Sequence, residues 1–124
     1  MIRITVDSGQ YATLLWTNTD PYTTGFPAKT VSLDLSKYKA VIVSPLTYPQ
    51  AGFTLPVKSY CPIGESSFIA IEGVNGTLQL GHQSRKYTVS TAGVTFDIGY
   101  SQGSYTNPTY CPPYQIWGVE FDSP

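Results

Sequence analysis

The sequence predicts an all-β chain, a single antiparallel β-sandwich of jelly-roll-like form over residues 1–124, and three observations carry that prediction. Apolar residues recur with period two or in short β-branched runs, the spacing of strands. Turn formers separate those runs, with 11 glycines and 10 prolines spread along the chain. No window shows the i, i+3, i+4, i+7 pattern of an amphipathic helix. A chain of 124 residues fits one domain, and at that size roughly two-thirds of the unfolded surface is buried on folding, enough for one hydrophobic core. No internal repeat, low-complexity tract or linker divides it.

Strands are expected over 2–6, 11–17, 29–35, 38–44, 53–58, 68–72, 77–80, 85–90, 94–98 and 114–121, each bounded by Gly, Pro, Asn, Asp or Ser. In Val31-Ser-Leu33-Asp-Leu35 and Val94-Thr-Phe96-Asp-Ile98, three apolar side chains fall on one face and polar ones on the other, as a half-buried antiparallel strand requires. Ala40-Val-Ile-Val43 has four apolar residues in a row, which predicts a central strand whose second face is covered by another layer or subunit. Gly73 to Gly76 offers Asn75-Gly76 as a type I′ hairpin turn between 68–72 and 77–80. Asn75-Gly-Thr77 also matches a glycosylation sequon, which has meaning only on a secretory route.

Three stretches break the strands. Residues 18–27 combine Asp20-Pro21 with Gly25 and Pro27, and residues 45–52 set two prolines around Tyr48; both read as turn-rich loops. Residues 99–113 form a long uncharged loop carrying Tyr100, Tyr105 and Tyr110. Loops of that length tend to be functional or disordered. Tyr, Ser, Gly and Asn together suit adaptable binding, Tyr giving rigid amphipathic area and the rest hydrogen-bonding plasticity. The competing reading is that these tyrosines cover a sheet end with their hydroxyls in water. Pro112 and Pro113 end the loop, because they cannot donate ladder hydrogen bonds. The last strand, from Ile116 to Phe121, is apolar on both sides and so calls for cover on both faces, with Gly118 allowing a close neighbour.

Charge excludes several function classes. Seven Lys plus Arg face eight Asp plus Glu for a net charge of -1. The basic residues are scattered, so the counterion release that drives nucleic-acid binding is missing. The N-terminus lacks the basic start and apolar run of a signal peptide, and no run of about 18 apolar residues suggests a membrane span.

Residues with chemistry are few. His82 is the only histidine, and no Gly-x-Ser-x-Gly elbow or HExxH motif supplies a partner, so a solvated loop or edge position is expected for it and no catalytic residue is assigned. Glu120 and Asp122 would share a strand face; two carboxylates can serve glycoside hydrolysis or calcium, but solvated strand ends are the simpler reading. Cys61 and Cys111 are spaced far beyond any metal-ligand motif. They are either two small buried hydrophobes or one bridge, which would contribute about 4 kcal/mol in the chain-entropy model. Free thiols are favoured for a protein assembled in cytoplasm. No cofactor and no metal is expected.

"LLWTN", "FPAKTVSLDLSKYKAVIV", "RKYTVSTAGVTF" and "GYSQGSYTNPTYCPPYQIWGVEF" together resemble small distal or C-terminal domains of tail-associated proteins, on fibres or baseplates, of bacteriophages and prophages of Gram-positive hosts. The resemblance covers roughly residues 14–121 and rests on motifs that are mainly structural, with Trp117 replacing the tyrosine usual in the closing motif. It implies a virion protein assembled in the bacterial cytoplasm, often a homotrimer, in contact with other tail proteins and commonly with cell-wall saccharides.

Two functions from different classes follow. In the first, the domain is a non-enzymatic receptor-binding module for host adhesion, with Tyr100, Tyr105, Asn107, Tyr110 and Tyr48 as candidate ligand-binding residues. Tyrosines would stack on sugar faces while Asn, Gln and Ser bond hydroxyls, and the uncharged surface suits a neutral polysaccharide. In the second, it is a structural tail decoration or connector without a ligand, its aromatic surface buried against copies of itself or a neighbouring tail protein.

Overall fold

The computed structural model describes residues 2–7, 10–19, 25–46, 53–74, 80–101 and 104–121. Their regular elements are all strands, in chain order β1 (Arg3–Asp7), β2 (Gln10–Thr17), β3 (Lys29–Ser32), β4 (Tyr38–Pro45), β5 (Phe53–Val57), β6 (Ser59–Pro62), β7 (Ser66–Val74), β8 (Leu80–Ser90), β9 (Gly93–Phe96), β10 (Gly99–Ser101), β11 (Tyr105–Asn107) and β12 (Pro113–Glu120). They form two antiparallel sheets packed face to face. One has the order β1-β2-β12-β4-β6; the other runs β11-β10-β8-β7-β5, with β9 joining β8 to β3. The chain changes sheet at each step from β2 to β7 and again between β11 and β12, so both sheets are closed by residues distant in sequence.

The core between the sheets follows from the alternation. Val31, Val94, Phe96, Tyr87, Val89, Ile69 and Ile71 come from one sheet, and Val41, Val43, Ile116 and Cys61 from the other. Phe26, Leu35 and Cys111 plug the ends from connecting segments. Each aliphatic side chain so buried contributes about 1.5–3 kcal/mol relative to exposure. Leu15 and Trp16 are consecutive yet both pack on this core. The cause is a bulge, since Ile116 pairs with Trp16 while Trp117 pairs with Leu14, leaving Leu15 as the extra residue.

Ala40 to Val43 lies in a strand flanked on both sides, β12 and β6, as its four apolar residues predict. Val41 and Val43 enter the core, while Ala40 joins Ala12 and Val119 in a second buried cluster on the opposite face, with Ile42 and Trp117 packed against it. Across that outward face the pairing sets out two ranks. One reads Tyr60, Ile42, Trp117, Leu14, with Ile2 bonded through its carbonyl to the Leu14 N–H at 2.8 Å. The next reads Pro62, Ala40, Val119, Ala12, Ile4. Gly118 has the close neighbours its position predicts: a Cβ there would stand 2.7 Å from the Tyr38 ring and 2.8 Å from Leu15 Cδ1.

Four expectations change in detail. β6 was not foreseen, because Ser-Tyr-Cys-Pro is short and ends in proline. Leu80, the last residue of the segment expected at 77–80, and the segment expected at 85–90 belong to one strand, β8, whose ladder with β7 continues through 80–88. That ladder pairs Val74 with Leu80, whereas a two-residue turn at Asn75-Gly76 would pair Val74 with Thr77; residues 75–79 themselves lie outside the described residues. The loop expected over 99–113 contains the short hairpin β10–β11, which its Gly, Ser and Asn content concealed.

Candidate functional site

The tyrosine-bearing segment is fixed from beneath by Arg85. On β8, Arg85 alternates with Tyr87 and Val89 and so points into the interior, where it is fully buried. An arginine there must satisfy five N–H donors or incur a desolvation cost of several kcal/mol. Nε donates to the Cys111 carbonyl at 3.0 Å. One terminal nitrogen donates to the carbonyls of Phe26 at 2.8 Å and Asp97 at 2.9 Å. The other donates to those of Pro108 at 3.2 Å and Tyr110 at 2.8 Å. One side chain therefore ties the segment after β2, the β9–β10 connection and the loop before β12 into a single unit.

Glycines and a strained cysteine make that packing possible. A Cβ on Gly25 would stand 2.9 Å from the Pro108 carbonyl, and one on Gly99 would overlap the Tyr110 carbonyl oxygen at 1.8 Å. Cys111 adopts φ 44°, a left-handed conformation that costs a β-carbon-bearing residue about 1 kcal/mol or more. It is held by the Gln83 side-chain oxygen, which accepts from its N–H at 2.9 Å, and by Arg85 on its carbonyl. Both Cys111 and Cys61 are buried free thiols. Burial pushes Cys111 up to about 12 against the smaller opposing pull of Arg85, and Cys61 is raised by burial and then by Glu65. Neither is poised as a thiolate nucleophile.

The candidate ligand residues divide between surfaces. In the hairpin, Tyr100 pairs with Thr106 and Ser101 with Tyr105, so Tyr100 and Tyr105 project to opposite faces. Tyr105 is 65% exposed; Tyr100 and Tyr110 are half-buried. Asn107 is exposed, and its side-chain oxygen accepts from both the N–H of Thr109 at 2.9 Å and its hydroxyl at 2.8 Å, closing an Asx turn. The structure thus gives Tyr105 as the accessible ring and Asn107 as a shaper of the loop, with no platform shared by all the tyrosines. Tyr48 lies outside the described residues.

Two features were missed by sequence reasoning. An open cleft of about 320 Å³ adjoins the clamped loop, lined by Trp16, Thr17, Asn18, Thr19, Phe26 and Lys29 among others. Trp16 and Phe96 each set an edge against Phe26, at 5.8 and 5.5 Å between ring centroids, and Lys29 Nζ lies 4.5 Å from the Phe26 ring centre. The cleft is tied to the loop and to β12, because the Phe26 N–H donates to the Pro108 carbonyl at 2.7 Å and the Asn18 N–H to that of Tyr114 at 2.7 Å. On the outward face of the β8 sheet, Thr30, Thr95, Thr88 and Ser66 lie in one rank across four strands. Their hydroxyls bond pairwise at 2.9 Å. Arg85 had a readable signal, its period-two phase with Tyr87 and Val89. The cleft had none, since it depends on how distant segments meet.

The residues with classical catalytic chemistry sit apart from this site. His82 Nδ1 lies 3.1 Å from Glu72 Oε1 on an exposed cross-strand pair. Glu120 takes Arg3 and Thr13 as partners; Asp122 lies outside the described residues. Among the described residues, no group of three or more His, Cys, Asp and Glu could hold a metal ion.

The fold and site define an antiparallel β-sandwich bearing an uncharged loop locked by a buried arginine. No family model, curated protein or solved structure matches the chain.

Proposed function

We propose that the chain is a non-enzymatic adhesion module that binds a neutral cell-surface saccharide, in keeping with its resemblance to tail-associated domains of phages and prophages of Gram-positive hosts. The observation that carries this reading is the preorganised hairpin and loop. Arg85 fixes the main chain at Pro108 and Tyr110, directly after the hairpin that carries Tyr105, so little main-chain ordering remains for binding to offset. Tyr105 supplies an apolar face for a pyranose ring, and the adjoining cleft supplies Trp16 with the hydroxyls of Thr17 and Thr19 for sugar hydroxyls. Affinity of one such site would be weak.

The test is a titration of the protein with purified cell-wall polysaccharide from candidate Gram-positive hosts, followed by tryptophan fluorescence. Saturable binding that Tyr105→Ala abolishes supports adhesion. Absence of binding by folded protein to every polysaccharide tried overturns it. The alternative reading, a structural tail connector without a ligand, draws on a separate observation, the apolar outward face of the five-stranded sheet.

A further inference from the structure

On the outward face of the β8 sheet, two aromatic side chains stand either side of a floor of small ones. One rank reads Tyr100, Ser84, Ala70 and Val57 across β10, β8, β7 and β5. The next sets Lys86 opposite Phe68, with Asp97 alongside through its N–H, which donates to the Lys86 carbonyl at 2.9 Å. The third is the hydroxyl rank of Thr30, Thr95, Thr88 and Ser66. None of these residues is buried, and Phe68 is 56% exposed. Tyr100 and Phe68 lie on β10 and β7 with β8 between them. At about 4.8 Å between strands and about 3.4 Å per residue, their Cα atoms stand about 12 Å apart, and Ser84 and Ala70 fill the interval. A shallow cleft of about 290 Å³ opens beside them, lined by Ala28, Lys86, Thr88, Thr95 and Asp97 among others. Thr30 bonds Thr95 and Thr88 bonds Ser66, hydroxyl to hydroxyl. Each pair uses one of its two protons internally, so it turns one O–H donor and several lone pairs outward.

We propose that this face is a second glycan site, binding an extended neutral saccharide chain whose separate rings stack on Tyr100 and Phe68 while the two hydroxyl pairs bond its hydroxyl groups. The proposal takes its ligand class from the saccharide reading and rests on it in that respect, but it assigns the contact to different residues. Chemistry selects the occupant. A sugar is apolar on its ring faces and both donor and acceptor at its hydroxyls; the face offers aromatic rings for the first and groups of both kinds for the second. Charge agrees with a neutral ligand, because Lys86 and Asp97 line the same cleft with opposite signs and His82 is met by Glu72. One lysine cannot supply the counterion release on which nucleic-acid binding depends. A protein partner fits less well. The centres of protein interfaces are depleted in serine, alanine, lysine and aspartate, and those are the residue types between the two rings and in the cleft. Small side chains on an open sheet leave room for an extended chain to lie across the strands.

Tyr105 projects to the opposite face of the hairpin from Tyr100, so the two sites are distinct. A polymer long enough to reach both is held by both, and loss of either then weakens it far more than a single weak contact would suggest. Short probes report each site singly. The experiment follows the backbone amides of the full chain by heteronuclear NMR during titration with chitotetraose and with cellotetraose at millimolar concentration. The expected result is a cluster of shifts at Phe68, Ser84, Lys86, Thr88 and Thr95 that is lost in Phe68→Ala. The same variant should weaken binding of a polysaccharide that the wild type binds at least about tenfold. Thr88→Val combined with Thr95→Val removes two hydroxyls, keeps the branched shape that strands favour, and should raise the midpoint of the titration at least about tenfold with the circular dichroism unchanged. Shifts confined to residues 104–110 overturn this site and leave the hairpin reading standing. Shifts on the sheet face alone support this site and overturn the hairpin as a second one. No shift on the sheet face with either probe, or shifts there that survive Phe68→Ala, overturn the proposal.

Discussion

Gly99 lies so close to Tyr110 that a methyl group on it would stand 1.8 Å from the Tyr110 carbonyl oxygen, the same oxygen that accepts from Arg85 at 2.8 Å. The obstacle is backbone held in place by a buried cation. Gly99→Ala should therefore cost about 3 kcal/mol or more in urea unfolding. Gly118→Ala meets only side chains, Tyr38 at 2.7 Å and Leu15 at 2.8 Å, which can shift, and should cost about 1–2 kcal/mol. The reverse order would mean that the loop carrying Tyr110 yields more easily than the core.

Arg85→Lys keeps a positive charge but offers three donors where the main chain presents five acceptors. Arg85→Met removes the charge and strands the same carbonyls. Both should lose about 3 kcal/mol or more, lowering Tm by about 10 °C or more in calorimetry. A lysine variant as stable as wild type would show that charge, not the forked geometry, holds the loop.

Tyr105→Ala separates function from folding. With 65% of the residue exposed, its removal should change stability by no more than about 0.5 kcal/mol, while polysaccharide binding disappears. A large fall in Tm would place Tyr105 in the structural framework instead.

Alkaline pH should destabilise the fold. Burial raises the Cys111 thiol from 9.0 and the Tyr87 phenol from 10.0, each to about 12. Between about pH 9 and 12 the unfolded chain has released protons that the native chain retains. Stability therefore falls as pH rises through this window, and below pH 9 the contribution is fully present. Urea midpoints should be flat from neutrality to about pH 9 and then decline, less steeply in Cys111→Ala. At pH 8 a thiol reagent should label Cys61 and Cys111 only after unfolding, as both are buried; rapid labelling of native protein would contradict the burial.

Strands whose apolar residues alternate cleanly were legible. Val31, Val94 and Phe96 sit in the core as their spacing requires, and Ala40 to Val43 lies in a flanked strand because both its faces are apolar. What could not be read was set by contacts between distant segments. β10 and β11 have three residues each and owe their pairing to β8 and to each other rather than to propensity. The bulge that turns both Leu15 and Trp16 inward breaks the period on which the reading relied. Arg85 reads as surface by type even though its phase with Tyr87 and Val89 points inward, and only the five carbonyls converging from three segments make its burial tolerable. Among the candidate ligand residues, tyrosine content pointed to residues 99–113 as a group, but the alternation of β10 against β11 separates Tyr100 from Tyr105.

The place of β12 bears on how the protein is made. It is the last of the described strands in sequence order, yet it occupies the middle of its sheet, between β2 and β4. Until Pro113–Glu120 has left the ribosome, β2 and β4 each present an open edge next to apolar side chains, in a nascent chain whose other sheet can already close. That interval is when pairing with the wrong strand is most exposed to chance. A free peptide of the β12 sequence, supplied to chains lacking it, would be expected to slot into the gap and restore the sheet, much as a missing stave completes a cask.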